Sequence, residues 1–418
     1  MSTYRHIKLS IALVFLTSSL SLAHENAVVE HHDFIQIDNN LSLPQVITTT
    51  LEKFPDRLLT EALKQQANAL HLRGNSWLAA APSFSISYLD DLPGDDIGSR
   101  EIEAQLVLPL WNWGQRAAGQ GVAEQADNVA NKQSLLTKLV VTGLVRRALW
   151  NMSLENSRYE QTQSILDISE KLVNKIKRRV ELGDLPRSDL LLAQSDLLQK
   201  RSLLLQAEAE MMHARKNYIS LTQSNVVPIN FREQLSSVTE ITNKHPQLSA
   251  INAVIERKKA NLNWIKSAGS GQPRFALGGR NEKGDENDDD IESMTVALSI
   301  PFGGSAYLAP KVAAANLLLI KAIAQKEHLF RQLEKQHHEA KHALEVTRIE
   351  LEIANELSQI SKAHLKMTQL SFSAGEINLI DLLKIQARSY NAIRHAKEHQ
   401  IMLQKNIALY NQAVGVLP

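Results

Sequence analysis

Leu182-Gly183-Asp184-Leu185-Pro186-Arg187-Ser188-Asp189-Leu190 is the stretch on which the fold turns. Upstream, from Gln115 to Glu181, 67 residues pass without a proline, about 100 Å of chain if wound as one α-helix. Downstream, Leu190, Leu197 and Leu204 recur at helical spacing. A glycine between two long helical patterns reads as a left-handed C-cap and a reversal, so the chain makes an antiparallel helical hairpin here. The same pattern is written again further on: Ala374-Gly375-Glu376-Ile377-Asn378-Leu379-Ile380-Asp381-Leu382-Leu383 separates a long helical run, Ala306 to Ala374, from a returning one. In that second run Val346, Ile349, Ile353, Ile360 and Met367, with Leu357 beside them, follow the three-then-four spacing of a packed seam.

The recurrence is a duplication. At a shift of 192, Gly183 meets Gly375, Asp184 meets Glu376, Asp189 meets Asp381, Gln194 meets Gln386, and Leu106-Val107-Leu108-Pro109 meets Leu298-Ser299-Ile300-Pro301. Upstream the shift is 191, and Pro55, Pro82 and Phe84 meet Pro246, Pro273 and Phe275. Self-similarity of this kind divides the chain into repeats at 44–223 and 244–418, joined by a linker at 224–243. In each, a helix is expected to start near a proline and to run to about Ala80 or Ala268, with Pro82 and Pro273 as stops. Two strands follow, separated by an acidic loop. Phe84 to Tyr88, Ile102 to Leu106 and Met294 to Ile300 alternate apolar with polar, the period of a strand dividing two environments.

Residues 1–23 carry the marks of a secretory signal: Arg5 and Lys8, the apolar run Leu9 to Leu16, and the small-residue site Ser21-Leu22-Ala23. A tail, 24–43, follows. Beyond residue 23 no stretch is expected to reach the roughly 20 apolar residues of a spanning helix. Forty-six Lys and Arg against 45 Asp and Glu argue against a nucleic-acid binder, and the absence of cysteine removes disulfides, thiolate metal sites and cysteine nucleophiles. No phosphate-binding loop or nucleophile–base spacing is readable, so no enzyme and no cofactor is expected.

A hairpin about 100 Å long cannot bury itself in a globule, and four strands cannot close a barrel, which takes about eight from a single chain. Either several copies share one barrel or the strands are not in a membrane. At this point the residues resemble the TolC-type outer-membrane efflux factors. The resemblance is carried by Leu108-Pro109-Leu110-Trp111-Asn112-Trp113-Gly114, by the two glycine segments quoted above, and by the ending Asn411-Gln412-Ala413-Val414-Gly415-Val416-Leu417-Pro418. It implies a mostly α chain with a small β part. Long helical hairpins would form a periplasmic α-barrel, and four strands per chain would contribute to a 12-stranded outer-membrane β-barrel shared by a homotrimer. It further implies outer-membrane lipid around the strands, and docking through the helix tips to a periplasmic adaptor and an inner-membrane pump, here of RND type. Val414 to Pro418 and the histidine content are similar to the heavy-metal (Czc-type) branch, which makes metal cations the expected cargo of a passive duct. One departure stands out: Leu221-Thr222 is followed by Gln223 where the family has glycine.

The candidate site is the pair of tip turns: Gly183, Asp184, Arg187, Ser188 and Asp189 in one, Gly375, Glu376, Asn378 and Asp381 in the other, with roles in gating and partner docking. Asp189 and Asp381 stand where a carboxylate caps free helical N–H groups, the structural alternative. His395 and His399, and the group His337, His338 and His342, have spacings that could bind a metal, as could His24, His31 and His32, but no carboxylate pattern accompanies them and no metal site is assigned. The acidic runs Asp90-Asp91 to Asp95-Asp96 and Asp285 to Asp290 read as solvated loops or as a cation-attracting exit. Trp111 and Trp113 read as interface anchors or as junction packing. The competing reading of the whole chain is a soluble periplasmic coiled-coil scaffold or adaptor.

Overall fold

A computed structural model describes residues 34–91, 94 and 98–418. The signal segment, His24, His31, His32 and the pair Asp95-Asp96 lie outside the described residues. In chain order the elements are β1 (Gln36–Asp38), α1 (Leu43–Lys53), α2 (Arg57–Asn75), β2 (Ser83–Asp90), β3 (Arg100–Pro109), α3 (Gln115–Glu181), α4 (Arg187–Thr222), β4 (Val226–Pro228), α5 (Pro246–Ser267), β5 (Arg274–Lys283), β6 (Ile291–Ser299), α6 (Ser305–Ala374) and α7 (Leu379–Ala413). The order α2-β2-β3-α3-α4 recurs as α5-β5-β6-α6-α7. Helix α3 spans the Gln115 to Glu181 run read from the sequence, and α6 has 70 residues with Pro310 in its second turn.

Two expectations shift. The first-repeat helix stops at Asn75, short of Ala80, and is preceded by α1, which the sequence reading did not separate. Ser76 turns extended at the end of α2, and side chains from α3 take the freed carbonyls: Arg116 donates to Gly74 O (3.3 Å) and Asn75 O (2.8 Å), and Gln120 to Gly74 O (3.2 Å). The second concerns spanning helices. Within α6 one 18-residue window has a mean hydropathy of 1.4 and is long and apolar enough to cross a membrane. Only 17% of that window is buried, because α6 packs on α5 and α7 along one side and leaves the other bare.

Strands β2-β3-β5-β6 form one antiparallel sheet in that order, with β3–β5 joining the two repeats. Its register sorts the side chains by face. Phe84, Leu106, Leu277 and Val296 lie in one row across all four strands, and Ile86, Ala104, Gly279 and Met294 in another on the same face. The opposite face carries Ser85, Gln105, Gly278 and Thr295, then Ser87, Glu103, Arg280 and Ser293. Period-two alternation thus makes one continuous apolar surface, with Phe84, Ile86, Met294 and Val296 exposed on it, and one polar surface. The outer edges, β2 and β6, have no partner strand among the described residues.

Among the helices, α3 is central, packed by α2, α5, α4, α7 and α1. Where α6 meets α7 the buried seam is Leu344, Thr347, Ala354, Ser358, Leu365, Thr368 and Phe372, again three, four or seven apart. The apolar seam expected to be packed, Val346 to Met367, faces outward instead. Small residues let the two backbones approach, so the hairpin closes on its less hydrophobic stripe.

At mid-length the repeats are clamped together. The Arg146 side chain is 1% exposed and its guanidinium is bidentate to Glu233, at 2.8 and 2.5 Å. It also donates to Gln412 Oε1 (2.7 Å) and Val416 O (3.0 Å), which draws α3, the linker and the end of α7 to one point. A Cβ on Gly143 would meet the Gln412 amide at 2.8 Å, so glycine there makes the room. Nearby, β1 pairs in parallel with β4, and Tyr218 donates to Val226 O (2.7 Å); burial pushes its phenol up to about 12. Helix α4 ends on Gln223, at φ 52 the one non-glycine with positive φ among the described residues. The departure from the family's glycine therefore leaves the helix end in place and stores strain in it.

Gln223→Gly should raise the thermal midpoint, by about 0.5–1 kcal/mol of stability, since glycine adopts this conformation without a Cβ clash. Arg146→Ala should cost about 3–5 kcal/mol, because Glu233 would be left buried and unpaired. Thermal unfolding followed by circular dichroism reads both, and an unchanged midpoint in the Arg146 variant would contradict the clamp.

Candidate functional site

The two tip turns have one construction. After α3, Gly183 sits at φ 81; its N–H reaches Val180 O (3.0 Å) and the Asp184 N–H reaches Arg179 O (2.8 Å). After α6, Gly375 sits at φ 81, with its N–H on Phe372 O (3.2 Å) and the Glu376 N–H on Ser371 O (2.9 Å). Both are Schellman closures, in which a left-handed glycine lets two amides satisfy carbonyls of the last turn. A Cβ at either glycine would meet nothing within 4 Å, so backbone conformation selects the residue and space does not.

The structure brings both turns to one end of the molecule. Ile176, Ala193, Phe372, Leu379 and Leu382 are buried in one cluster with Leu185, Leu190 and Ile377 against it, and the Arg179 guanidinium lies over the Phe372 ring at 5.6 Å. Around that apolar knot Asp184, Arg187, Ser188, Glu376, Asn378 and Asp381 are exposed and Asp189 is half-buried. The caps differ between repeats. Asn378 accepts from the Asp381 N–H (2.8 Å) and so caps α7, while Asp381 sits in the first turn 3.8 Å from Lys384. At α4 the cap position is Pro186, which has no side-chain acceptor. Neither aspartate makes a cap hydrogen bond; each lies in the first helical turn, where its charge meets the positive end of the helix dipole.

The opposite end of the helices, where they become strands, holds a group of aromatics of which the sequence reading singled out Trp113 and missed Trp77, Phe302 and Tyr307. Trp77, Trp113, Phe302 and Tyr307 stand almost fully exposed just outside the same end of the sheet, before β2 and after β3 and β6. Trp111 differs: its indole donates to Ser76 O (3.1 Å) and it packs inward, so the two tryptophans divide the roles considered for them. Asn112 explains its place in the Leu108 to Gly114 motif by donating to Ala268 O (2.7 Å) and Gly271 O (2.8 Å), which joins the repeats at the end of α5. Beyond the other end of the sheet lies the acidic loop Asp285 to Asp290, where Asp290 is 3.6 Å from Arg100.

The histidines scatter. His395 and His399 stack at 6.4 Å and lean on Glu398 (3.9 Å) and Glu350 (3.5 Å), while His337 lies 3.4 Å from the Tyr410 hydroxyl, with burial pushing its pKa down. His338 and His342 are exposed. Among the described residues no group of three or more His, Asp or Glu is placed to hold a metal ion.

Residues 72–222 match the outer membrane efflux protein family. Among solved structures the chain is similar to the Vibrio cholerae outer membrane protein VceC, with 13% identity, a TM-score of 0.71, and 90% of this chain and 96% of that one covered. It is similar to the Campylobacter jejuni CmeC outer membrane channel, with 15% identity, a TM-score of 0.68, and 98% and 94% covered. The open state of the Neisseria gonorrhoeae MtrE outer membrane channel follows, with 17% identity, a TM-score of 0.69, and 90% and 89% covered. Comparison with curated proteins by sequence gives no match. The resemblance read from the motifs is thus met by the family match over the first repeat and by the fold over nearly the whole chain. VceC is described as an outer membrane protein, and CmeC and MtrE as outer membrane channels.

Gly183→Val and Gly375→Val should each cost about 1–2 kcal/mol by forcing a β-branched residue into the left-handed region, with no steric clash. Faster hydrogen exchange confined to residues 172–193 or 365–386 would register it. Loss of protection throughout the chain would mean that the glycines do more than close the turns.

Proposed function

From a chain that carries the fold of the TolC-type outer-membrane efflux channels and matches their family across its first repeat, we infer a channel component of a tripartite export system. Three copies form a passive duct, continuous from a 12-stranded β-barrel in the outer membrane into a periplasmic α-barrel. A periplasmic adaptor and an inner-membrane pump, of RND type, load it. Metal cations are the proposed cargo. The chain itself supplies no catalysis.

The observation that carries this reading is the pattern of unpartnered flanks. In the lower bundle the helices lie in the order α4-α3-α7-α6, in the upper one α2-α3-α5-α6, and the strands in the order β2-β3-β5-β6. At every level one flank belongs to α6 or β6 and the other to α4, α2 or β2. Both are apolar and bare: Ile353, Leu357 and Ile360 on α6, and Leu191, Leu198 and Leu205, seven apart, on α4. A head-to-tail contact between unlike flanks closes into a ring. Twelve strands of 8 to 10 residues, apolar outward and polar inward, suit a bilayer-spanning barrel, and the exposed aromatics beside the sheet suit its periplasmic interface. A soluble scaffold would leave the apolar sheet face in water.

The exposed residues around the tip turns, Asp184, Arg187, Ser188, Glu376, Asn378 and Asp381, are the proposed docking surface, and Gly183 and Gly375 with Asp189 set the turns that repack on opening. That the similar MtrE channel has been captured in an open state supports a gated end in this fold.

Full-length protein purified in detergent should run as a trimer by light scattering and shift in a gel on heating. Ile353→Lys with Ile360→Lys should convert it to monomer, and a water-soluble monomer from the unaltered chain would overturn the assembly. Cargo is tested by deletion: sensitivity to zinc, cobalt and cadmium, restored by the unaltered gene and not by a variant with Arg187→Glu and Asp381→Lys, is the expected result. A deletion sensitive to dyes and antibiotics but indifferent to metals would replace the cargo.

A further inference from the structure

Helices α2 and α5 flank α3, and over α3 they leave a groove of about 500 Å³, within the size of sites that take small organic molecules. On α5 the stripe facing it runs Val254, Arg257, Lys258, Asn261 and Trp264, spaced as a core stripe would be; the core stripe itself, with Ile255 and Leu262, turns to α6. Facing it from α2 are Leu63, Gln66, Leu70 and Arg73. Three cations therefore converge on a wall of leucine, valine and two tryptophans.

Their arrangement is set. The Arg73 guanidinium lies over the Trp264 ring at 4.6 Å, and its N–H groups have no hydrogen-bond partner among the described residues. Arg257 donates to Gln66 Oε1 (2.9 Å) across the groove. No Asp or Glu lines the cavity, and among the described residues none of Arg73, Arg257 and Lys258 has an ion-pair partner. Burial pushes the Arg257 pKa down with no carboxylate to offset it. The Trp264 indole N–H also has no acceptor among the described residues. Two half-buried cations, Arg257 and Lys258, with the exposed Arg73 over an indole ring and unused donors among them, are a receptor for an anion that brings an apolar body with it.

We propose that the groove between α2, α3 and α5 binds an organic anion, a carboxylate or phosphate attached to an aromatic or aliphatic body. The anionic head is held by Arg73, Arg257 and Lys258 and the body by Leu63, Leu70 and Trp264. All three helices belong to one chain, so each copy has its own site, independent of the export reading.

The test uses the full-length protein in phosphatidylcholine nanodiscs, titrated with 2-naphthyl phosphate by calorimetry. One molecule per chain should bind saturably. Inorganic phosphate and 2-naphthol should each bind at least about tenfold more weakly, and Arg257→Gln with Lys258→Gln should weaken naphthyl phosphate by about tenfold or more, the size of one lost charge-assisted contact. Arg257→Lys should lose less, and Trp264→Leu should weaken the naphthyl ligand while leaving phosphate unchanged. Adding phosphatidylglycerol to the nanodisc separates two sources of the same chemistry: displacement of the probe identifies a lipid headgroup as the occupant, and no displacement identifies a soluble anion. Equal binding of naphthol, undiminished binding by the double variant at unchanged circular dichroism, or no saturable binding would overturn the site.

Discussion

Everything in this molecule answers to two unpaired strand edges. A four-stranded antiparallel sheet that is apolar on one face and polar on the other has no stable home as it stands. Water penalises the face carrying Phe84, Leu106, Leu277 and Val296, and lipid penalises the bare N–H and C=O groups of β2 and β6. The conflict disappears once the edges pair with further strands. The helices inherit the same constraint, since the strands run on into them.

Periodicity announces the elements well and their partners poorly. The extents of α3 and α6 were legible because a long proline-free run has few alternatives, and the sheet because alternation at Phe84 to Tyr88 and Met294 to Ile300 is hard to mistake. The packing was not. In α6 the eye takes Val346, Ile349, Ile353 and Ile360 for the hairpin seam, whereas the hairpin closes on Thr347, Ala354, Ser358 and Leu365. Hydrophobicity marks the stripe that leaves water last; close approach of two backbones needs small side chains, and a hydropathy scale gives those little weight.

The tip turns were readable because left-handed glycine is a backbone demand written directly into residue identity. Their capping was less so: Asp381 and Asn378 are three residues apart at one helix start, both can accept from the backbone, and only geometry assigns the bond to Asn378. Gln223 shows the converse, a left-handed position whose residue gives no hint of it. The groove over α3 was invisible for a simpler reason. Its cations come from two helices about 185 residues apart in sequence, Arg73 and Arg257, and each alone passes for an ordinary surface charge.

The Arg146 clamp has a consequence for how the chain comes into being. Its acceptors Glu233 and Gln412 lie 87 and 266 residues further along. During synthesis the guanidinium stays hydrated until its partners are made, and loop closure over such a span is slow. Helical hairpins can zip locally as they emerge, but the waist of the molecule sets only after nearly the whole polypeptide is available.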